Sequence, residues 1–296
     1  MQQEKSKIVK TNNSKFEQPP IRTQFLIFTL LGDYIVKRTG KIWTRDILKM
    51  MELLEISERA VRSALSRMTN NGWIQATKIG RRSQYSLTQK GETLLNRGQQ
   101  RIFEPPYKDW DSKWHLVVYS LPETIREKRH SLRTQLAWLG FGRLAPGTWI
   151  SPHHPTNELL NTFSDLEIES FVKLFKGVFM GPSSSHDLAY RCWDLKGLEQ
   201  QYAIFIQRFK SEYDELNLCT KNNLPLDAKE HFIKSFWLTH QFQSFPLKDP
   251  NLPISILPPD WIGTTARELF NGYYVLLGTL ANQFVDEILS ANHDTK

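Results

Sequence analysis

Between Ser57 and Gly91 the spacing of apolar residues changes from helical to alternating, and that change predicts a helix followed by a β-hairpin. Val61, Ala64, Leu65 and Met68 recur at three- and four-residue intervals and form one stripe. Ser57 stands before them with an oxygen that can accept from free N–H groups of a first helical turn. Asn70-Asn71-Gly72 ends the helix, because Asn and Gly tolerate positive φ. Residues 73–77 and 84–88 read as two strands joined by a turn over 78–83. Upstream, Phe25, Ile27, Phe28, Leu30, Leu31, Tyr34 and Ile35 crowd a buried helix over 21–38, ended by Gly40. Ile42-Trp43 suits a short strand paired with the hairpin. Thr44 caps a second helix with Ile47, Leu48, Met51 and Leu54 inward, and Glu55-Ile56 turns into the third. Three helices and a hairpin in this order are the order of a winged helix-turn-helix. A helix over 89–101 presents Leu94 and Leu95, and Phe103-Glu104-Pro105-Pro106 breaks it into a linker.

The pattern then shifts. Residues 114–121 (WHLVVYSL) make a strand closed by Pro122. A helix over 123–139 turns Ile125, Leu132, Leu136 and Leu139 inward and places Arg126, Arg129 and Arg133 on a flanking face. After Gly140-Phe141-Gly142, residues 143–151 form a strand bent at Pro146-Gly147, and 157–163 a short helix. The stretch FVKLFKGVFM (171–180) suits a strand and also a helix, and 189–195 is expected to complete a small sheet. The resulting βαββαβ order predicts a ferredoxin-like sandwich. From Lys196 onward the periodicity is helical, with helices over 198–216 and 228–242, a proline-dense loop, and one helix or a pair over 264–289. The fold class is therefore α+β. Its expected parts are an arm at 1–20, a winged helix-turn-helix domain at 21–104, a ferredoxin-like domain at 105–195 and a helical domain at 196–296.

Charge sharpens this picture. Residues 1–104 hold 19 Lys/Arg against 9 Asp/Glu, net +10, whereas 105–296 hold 19 against 22, net −3. The polyanion partner therefore belongs to the N-terminal part. Within 57–90, seven basic residues face a single acid, Glu58. A basic helix beside a cationic hairpin meets what duplex DNA demands. The residues expected to touch DNA are Thr44, Ser57, Arg59, Arg62, Ser63, Ser66 and Arg67, with Arg81, Arg82 and Ser83 on the wing. Two cysteines, Cys192 and Cys219, make no disulfide framework. Residues 1–20 have no apolar signal core, and no apolar run approaches ~18 residues. A cytoplasmic protein without membrane contact is expected.

Several stretches together resemble the PaaX family of bacterial transcriptional repressors, which govern phenylacetic acid catabolism. They are Phe28-Thr29-Leu30 with Gly32-Asp33, the run from Ala60 to Met68 (AVRSALSRM), Gly72-Trp73, and Gly80-Arg81-Arg82-Ser83 with Tyr85, Leu87-Thr88 and Gly91. In the middle they are Trp114, Leu121-Pro122-Glu123, Leu139-Gly140-Phe141-Gly142 and Trp149-Ile150-Ser151-Pro152. Near the end they are Asp249-Pro250-Asn251-Leu252-Pro253, Leu257-Pro258, Trp261 and Ala266-Arg267. The chain departs from the family at Gln241-Phe242-Gln243, where Trp/Tyr-Arg is usual. The resemblance implies the same three domains, operator DNA as partner, and phenylacetyl-CoA rather than phenylacetate as the releasing effector. A homodimer is expected to bind the operator.

Other chemistries are weighed on the same residues. Arg126, Arg129, Arg133 and Arg143 suit the phosphates of coenzyme A, and Trp138 and Trp149 an aryl or adenine ring; a solvated basic face with core aromatics is the plain alternative. The middle domain also resembles CRISPR-associated metal-dependent nucleases of ferredoxin-like fold. Those need an Asp at the end of the first strand, where this chain has Tyr119-Ser120-Leu121-Pro122-Glu123. His153-His154 point apart on a strand, and His186 with Cys192 lacks a second pair, so no metal site is expected. No phosphate-binding glycine loop, nucleophile elbow or dinucleotide fingerprint occurs, and no catalytic residue or resident cofactor is assigned. A DNA-binding architectural protein without an effector is the remaining alternative.

Overall fold

A computed structural model describes residues 23–103, 110–222, 224–245 and 248–291; among them ten α-helices surround two antiparallel sheets in a mixed α+β arrangement. The expected arm at 1–20 and the break at 104–106 lie outside the described residues. Helix α1 (Thr23–Leu30) runs into a wider π-helical turn, Leu31–Ile35, with Val36 N–H donating to Leu31 O. Its apolar residues are buried as expected except Phe25, which faces solvent. Strand β1 (Lys41–Trp43), α2 (Thr44–Leu53), α3 (Glu58–Asn70), β2 (Ile74–Ile79), β3 (Arg82–Leu87) and α4 (Gln89–Phe103) follow, and the first sheet has the order β1-β3-β2. Glu55 takes φ 63° in the turn between α2 and α3.

The hairpin is longer than its apolar alternation suggests. The expected turn over 78–83 shrinks to Gly80-Arg81, with Ile79 paired to Arg82 and Gly80 at φ 61°. Lys78, Arg82 and Ser83 are ladder residues, because a two-residue turn opening on glycine suits the twist of paired strands. Thr88 then closes the hairpin base, donating to Gly72 O at 2.6 Å. Gly91 packs under Trp73, where a Cβ would lie 2.0 Å from its carbonyl oxygen. Leu95 of α4 is buried and Leu94 exposed.

The second sheet comprises β4 (Trp114–Tyr119), β5 (Gly142–Ala145), β6 (Thr148–Ser151) and β7 (Val172–Gly177), in the order β5-β6-β4-β7. A 3₁₀ turn, Glu123–Ile125, leads into α5 (Arg126–Trp138), and α6 (Asn157–Asp165) precedes β7. The bent strand expected over 143–151 is two strands. Pro146-Gly147 reverses the chain, with Gly147 at φ 72° and Ala145 paired to Thr148. The strand expected over 189–195 is a helix instead, α7 (Ser185–Cys192). A capping box at its start, Ser184 with Asp187, holds the first turn, and Leu188 and Ala189 are buried.

Helices α8 (Leu195–Lys221), α9 (Ala228–Phe242) and α10 (Ile262–Ser290) complete the chain, the last as one unbroken helix. None among the described residues is long and apolar enough to cross a membrane. Three cores result. One lies between α5, α6 and a face of the second sheet, around Val117, Leu132, Leu136 and Trp149. A second joins Trp114 and Ile150, on the other face, to α8 and the N-terminal half of α10. The third belongs to the N-terminal helices, yet it contains Phe232 and Phe236 of α9 and Ala281, Val285 and Ile288 of α10. Apolar burial at roughly 25 cal/mol per Å² thus ties the first hundred residues to the last seventy.

Candidate nucleic-acid interface

The amphipathic stripe of α3 buries Val61, Ala64, Leu65 and Met68 completely or nearly so. Ser57 accepts from the Ala60 N–H and caps the helix. At 3.6 residues per turn the side opposite that stripe carries Arg59, Ser63 and Ser66, flanked by Arg62 and Arg67, and all five are exposed. Arg62 Nε donates to Glu58 Oε1 at 2.6 Å, and Arg67 Nη1 to Ser63 Oγ at 2.7 Å. The side chains of Arg59, Arg81 and Arg82 have no hydrogen bond or ion pair among the described residues.

Thr44 does not cap α2, whose N-cap is Trp43. Its hydroxyl donates instead to Ser83 O, 2.9 Å away on β3, and so fastens the start of α2 to the hairpin. That bond helps close a cleft of about 450 Å³ lined by Trp43, Thr44, Arg45, Leu48, Arg62, Arg81, Arg82 and Ser83. Five of the ten residues expected to touch DNA therefore meet in one cavity, four more lie on α3, and Ser57 caps that helix. Sequence reasoning misses Arg45. Its one signal is its place beside Thr44 in the first turn of a helix. Arginines drawn from three segments would repel one another across this space, and a polyanion relieves that repulsion.

The residues expected to hold a coenzyme A ester line neither this cleft nor the smaller cavity beside Trp261. Trp149 lies in the core against α5 and α6. Arg129 is tied to Leu121 O at 2.7 Å and to Glu123 at 3.0 Å, and Arg133 Nε donates to Tyr119 Oη at 3.2 Å. Arg126 and Arg143 are exposed, and Trp138 is half-buried. The described part of the proline-rich segment lines a small cavity of about 40 Å³ beside Asp249, Trp261 and Arg267. Its Pro250 carbonyl lies 2.9 Å from His153 Nε2, and Asp249 accepts from Tyr202 Oη at 2.6 Å, so the segment bridges the second sheet and α8. His153 and His154 join no metal cluster; no group of three or more His, Cys, Asp or Glu suited to a metal occurs among the described residues.

Three family models match the chain in order. That of PaaX-like proteins covers residues 22–91, that of the PaaX protein central Cas2-like domain covers 107–189, and that of the PaaX-like protein C-terminal domain covers 193–287. The transcriptional repressor PaaX of Escherichia coli (strain K12) is 33% identical over 272 residues, which are 90% of this chain and 84% of that protein. Among solved structures, an uncharacterized protein from Mycobacterium tuberculosis superposes with a TM-score of 0.59 over 90% of this chain and 98% of its own. At 21% identity that likeness is one of fold.

Proposed function

The chain belongs to the PaaX family and is a DNA-binding transcriptional repressor of phenylacetate catabolism, not an enzyme, and on that premise we propose how it binds and is released. In this reading α1–α3 with β1–β3 are a winged helix-turn-helix, and the β4–β7 sheet with α5 and α6 is a ferredoxin-like domain. Helix α3 enters the major groove, and the β2–β3 wing rides the adjacent backbone. The observation that carries it is the cleft of about 450 Å³ in which Arg45, Arg62, Arg81 and Arg82 meet. A sugar-phosphate backbone suits the wing side of that space, at Arg81 and Arg82, and leaves Arg62 on the α3 side to a base edge. A homodimer sets two such faces on successive major grooves, ~34 Å apart. Replacing Arg81 and Arg82 together by Ala is expected to flatten the dependence of log affinity on log salt by about 0.9 for each phosphate that the wing no longer neutralises. Titrations of a promoter duplex at several salt concentrations measure it, and an unchanged slope would place the wing off the DNA.

Release is assigned to phenylacetyl-CoA. Arg126, Arg129, Arg133 and Arg143 remain its phosphate contacts in this reading and Trp138 its aromatic contact, while Trp149 serves as the packing beneath. The ligand weakens DNA binding only if it binds the free repressor more tightly than the DNA-bound one, by the same factor. Saturating phenylacetyl-CoA, and not phenylacetate, is expected to weaken the promoter complex by about 5- to 150-fold. Arg126→Ala should blunt that response at unchanged DNA affinity, since Arg126 is exposed and its ion pair among the described residues is a long 3.9 Å contact with Glu123. A complex that survives saturating thioester excludes this effector.

A further inference from the structure

We propose that Glu58 is a positioning residue for sequence discrimination: by gripping Arg62 it sets which end of that guanidinium faces the DNA. The inference rests on the reading of α3 as the groove-facing helix. Glu58 is the only acid between Ser57 and Lys90, and it opens the one helix that such a protein must bring against phosphates. Its carboxylate lies 2.6 Å from Arg62 Nε, with both side chains more than half exposed. A guanidinium offers five N–H donors in a planar fork. With Nε held by the carboxylate, each terminal nitrogen still has an N–H directed off the end of the fork, at an angle to the carboxylate. That is the pair able to donate in parallel to O6 and N7 of a guanine.

The other basic residues of the surface divide in a way that fits this assignment. Arg67 is tethered as well, to Ser63 one turn back at 2.7 Å. Arg59, Arg81 and Arg82, by contrast, are untethered among the described residues and can follow a backbone phosphate wherever it lies. Untethered cations give affinity without sequence preference, and tethered ones must find a base edge at a fixed place. The Glu58 carboxylate adds a penalty to complexes shifted out of register, because a phosphate brought beside it is repelled.

Glu58 has a second role that must be separated from this one. A negative charge in the first turn of a helix is favoured by the helix dipole, whatever Arg62 does. Glu58→Asp separates the two, since the shorter chain keeps the charge in the first turn but not the reach to Arg62 one turn on. The experiment measures wild type, Glu58→Gln, Glu58→Asp and Arg62→Ala in the full chain. Each is titrated against the tightest duplex selected from a random-sequence pool and against a shuffled duplex of equal composition. Glu58→Gln is expected to tighten binding to the shuffled duplex by about fivefold without tightening the selected one, which lowers the ratio of the two. Glu58→Asp is expected to lower that ratio too. A wild-type ratio in Glu58→Asp, or equal tightening on both duplexes by Glu58→Gln, overturns the proposal and leaves the DNA-facing reading of α3 intact. If Arg62→Ala leaves both affinities unchanged, α3 is not on the DNA and both fall together.

Discussion

Phe232→Ala is expected to cost about 3–5 kcal/mol of folding stability and to disable DNA binding, although Phe232 lies some 170 residues beyond α3 in sequence. The side chain is fully buried. Its ring meets Tyr34 of the N-terminal helices at 5.3 Å between centroids, Phe284 of α10 at 5.5 Å, and Phe236 on its own helix at 6.2 Å. Truncation opens a cavity where three helical segments meet, and none of them can close it without disturbing the others. The core it belongs to is the one that seats Val61, Ala64, Leu65 and Met68 of α3. Chemical denaturation followed by near-ultraviolet circular dichroism measures the loss, and a promoter titration of the folded fraction reads its effect on binding. A loss below about 1 kcal/mol would mean that the N-terminal region folds without α9 and α10.

That shared core shows why sequence reading stops where it does. Local signals carried far: the α3 stripe, the Ser57 cap and the bounds of α9 were legible because each rests on residues a few positions apart. The hairpin was legible as a hairpin but not in length, since charged and polar residues at the tip of the β2–β3 ladder look like a turn. Pro146-Gly147 reads as a bend because four-residue strands are too short to alternate visibly. The segment 189–195 misleads because its apolar residues suit a strand, while the decisive feature, the Ser184–Asp187 capping box, lies ahead of it. Five of the ten residues expected to touch DNA converge on one cleft, since composition and charge place basic residues on a known local motif. Arg45 enters only through the fold, which turns the start of α2 toward the β2–β3 hairpin. The docking of α9 and α10 onto α1 had no local signal at all. It depends on pairs some two hundred residues apart, among them Tyr34 Oη donating to Ser235 Oγ at 3.1 Å and Arg38 Nε to Asp286 at 2.6 Å. One such pair touches the family departure: Thr29 Oγ1 lies 3.0 Å from both His240 Nδ1 and Gln243 Oε1, so Gln243 takes part in the contact between α1 and the end of α9.

The same seam carries the last expected result: Asp33→Asn should stabilise the protein near neutral pH and leave it unchanged near pH 4. Asp33 sits in the π-helical turn after α1, 5% exposed, and its Oδ2 has no hydrogen-bond partner. Burial pushes its carboxyl up to about 6, and the Lys37 ammonium pulls it only partly back. A carboxyl whose pKa is raised on folding helps the folded state only while protonated. Its contribution is complete below the unfolded value near 3.8 and is lost as pH rises through about 6. At about 1.4 kcal/mol per pKa unit the ionised group then costs roughly 2–3 kcal/mol at pH 7, which the neutral amide avoids. His240, at the far end of the seam, works in the opposite direction. Burial holds it down to about 4, so its contribution is present above the unfolded value near 6.5 and is lost as pH falls through about 4. In the wild type the two slopes oppose each other between about pH 4 and 6.5, and in Asp33→Asn the histidine slope stands alone. Denaturation midpoints for both proteins across pH 4 to 7.5 give the difference directly, and groups common to both cancel. A stabilisation of equal size at pH 4 and pH 7 would show that the ionisation of Asp33 is not its source. If the difference grows with pH as expected, the N-terminal helices are docked on α9 and α10 through a contact that carries an ionised carboxylate at a net cost. The bond between the N-terminal helices and the C-terminal helices is then weaker at neutral pH than its apolar area alone would make it.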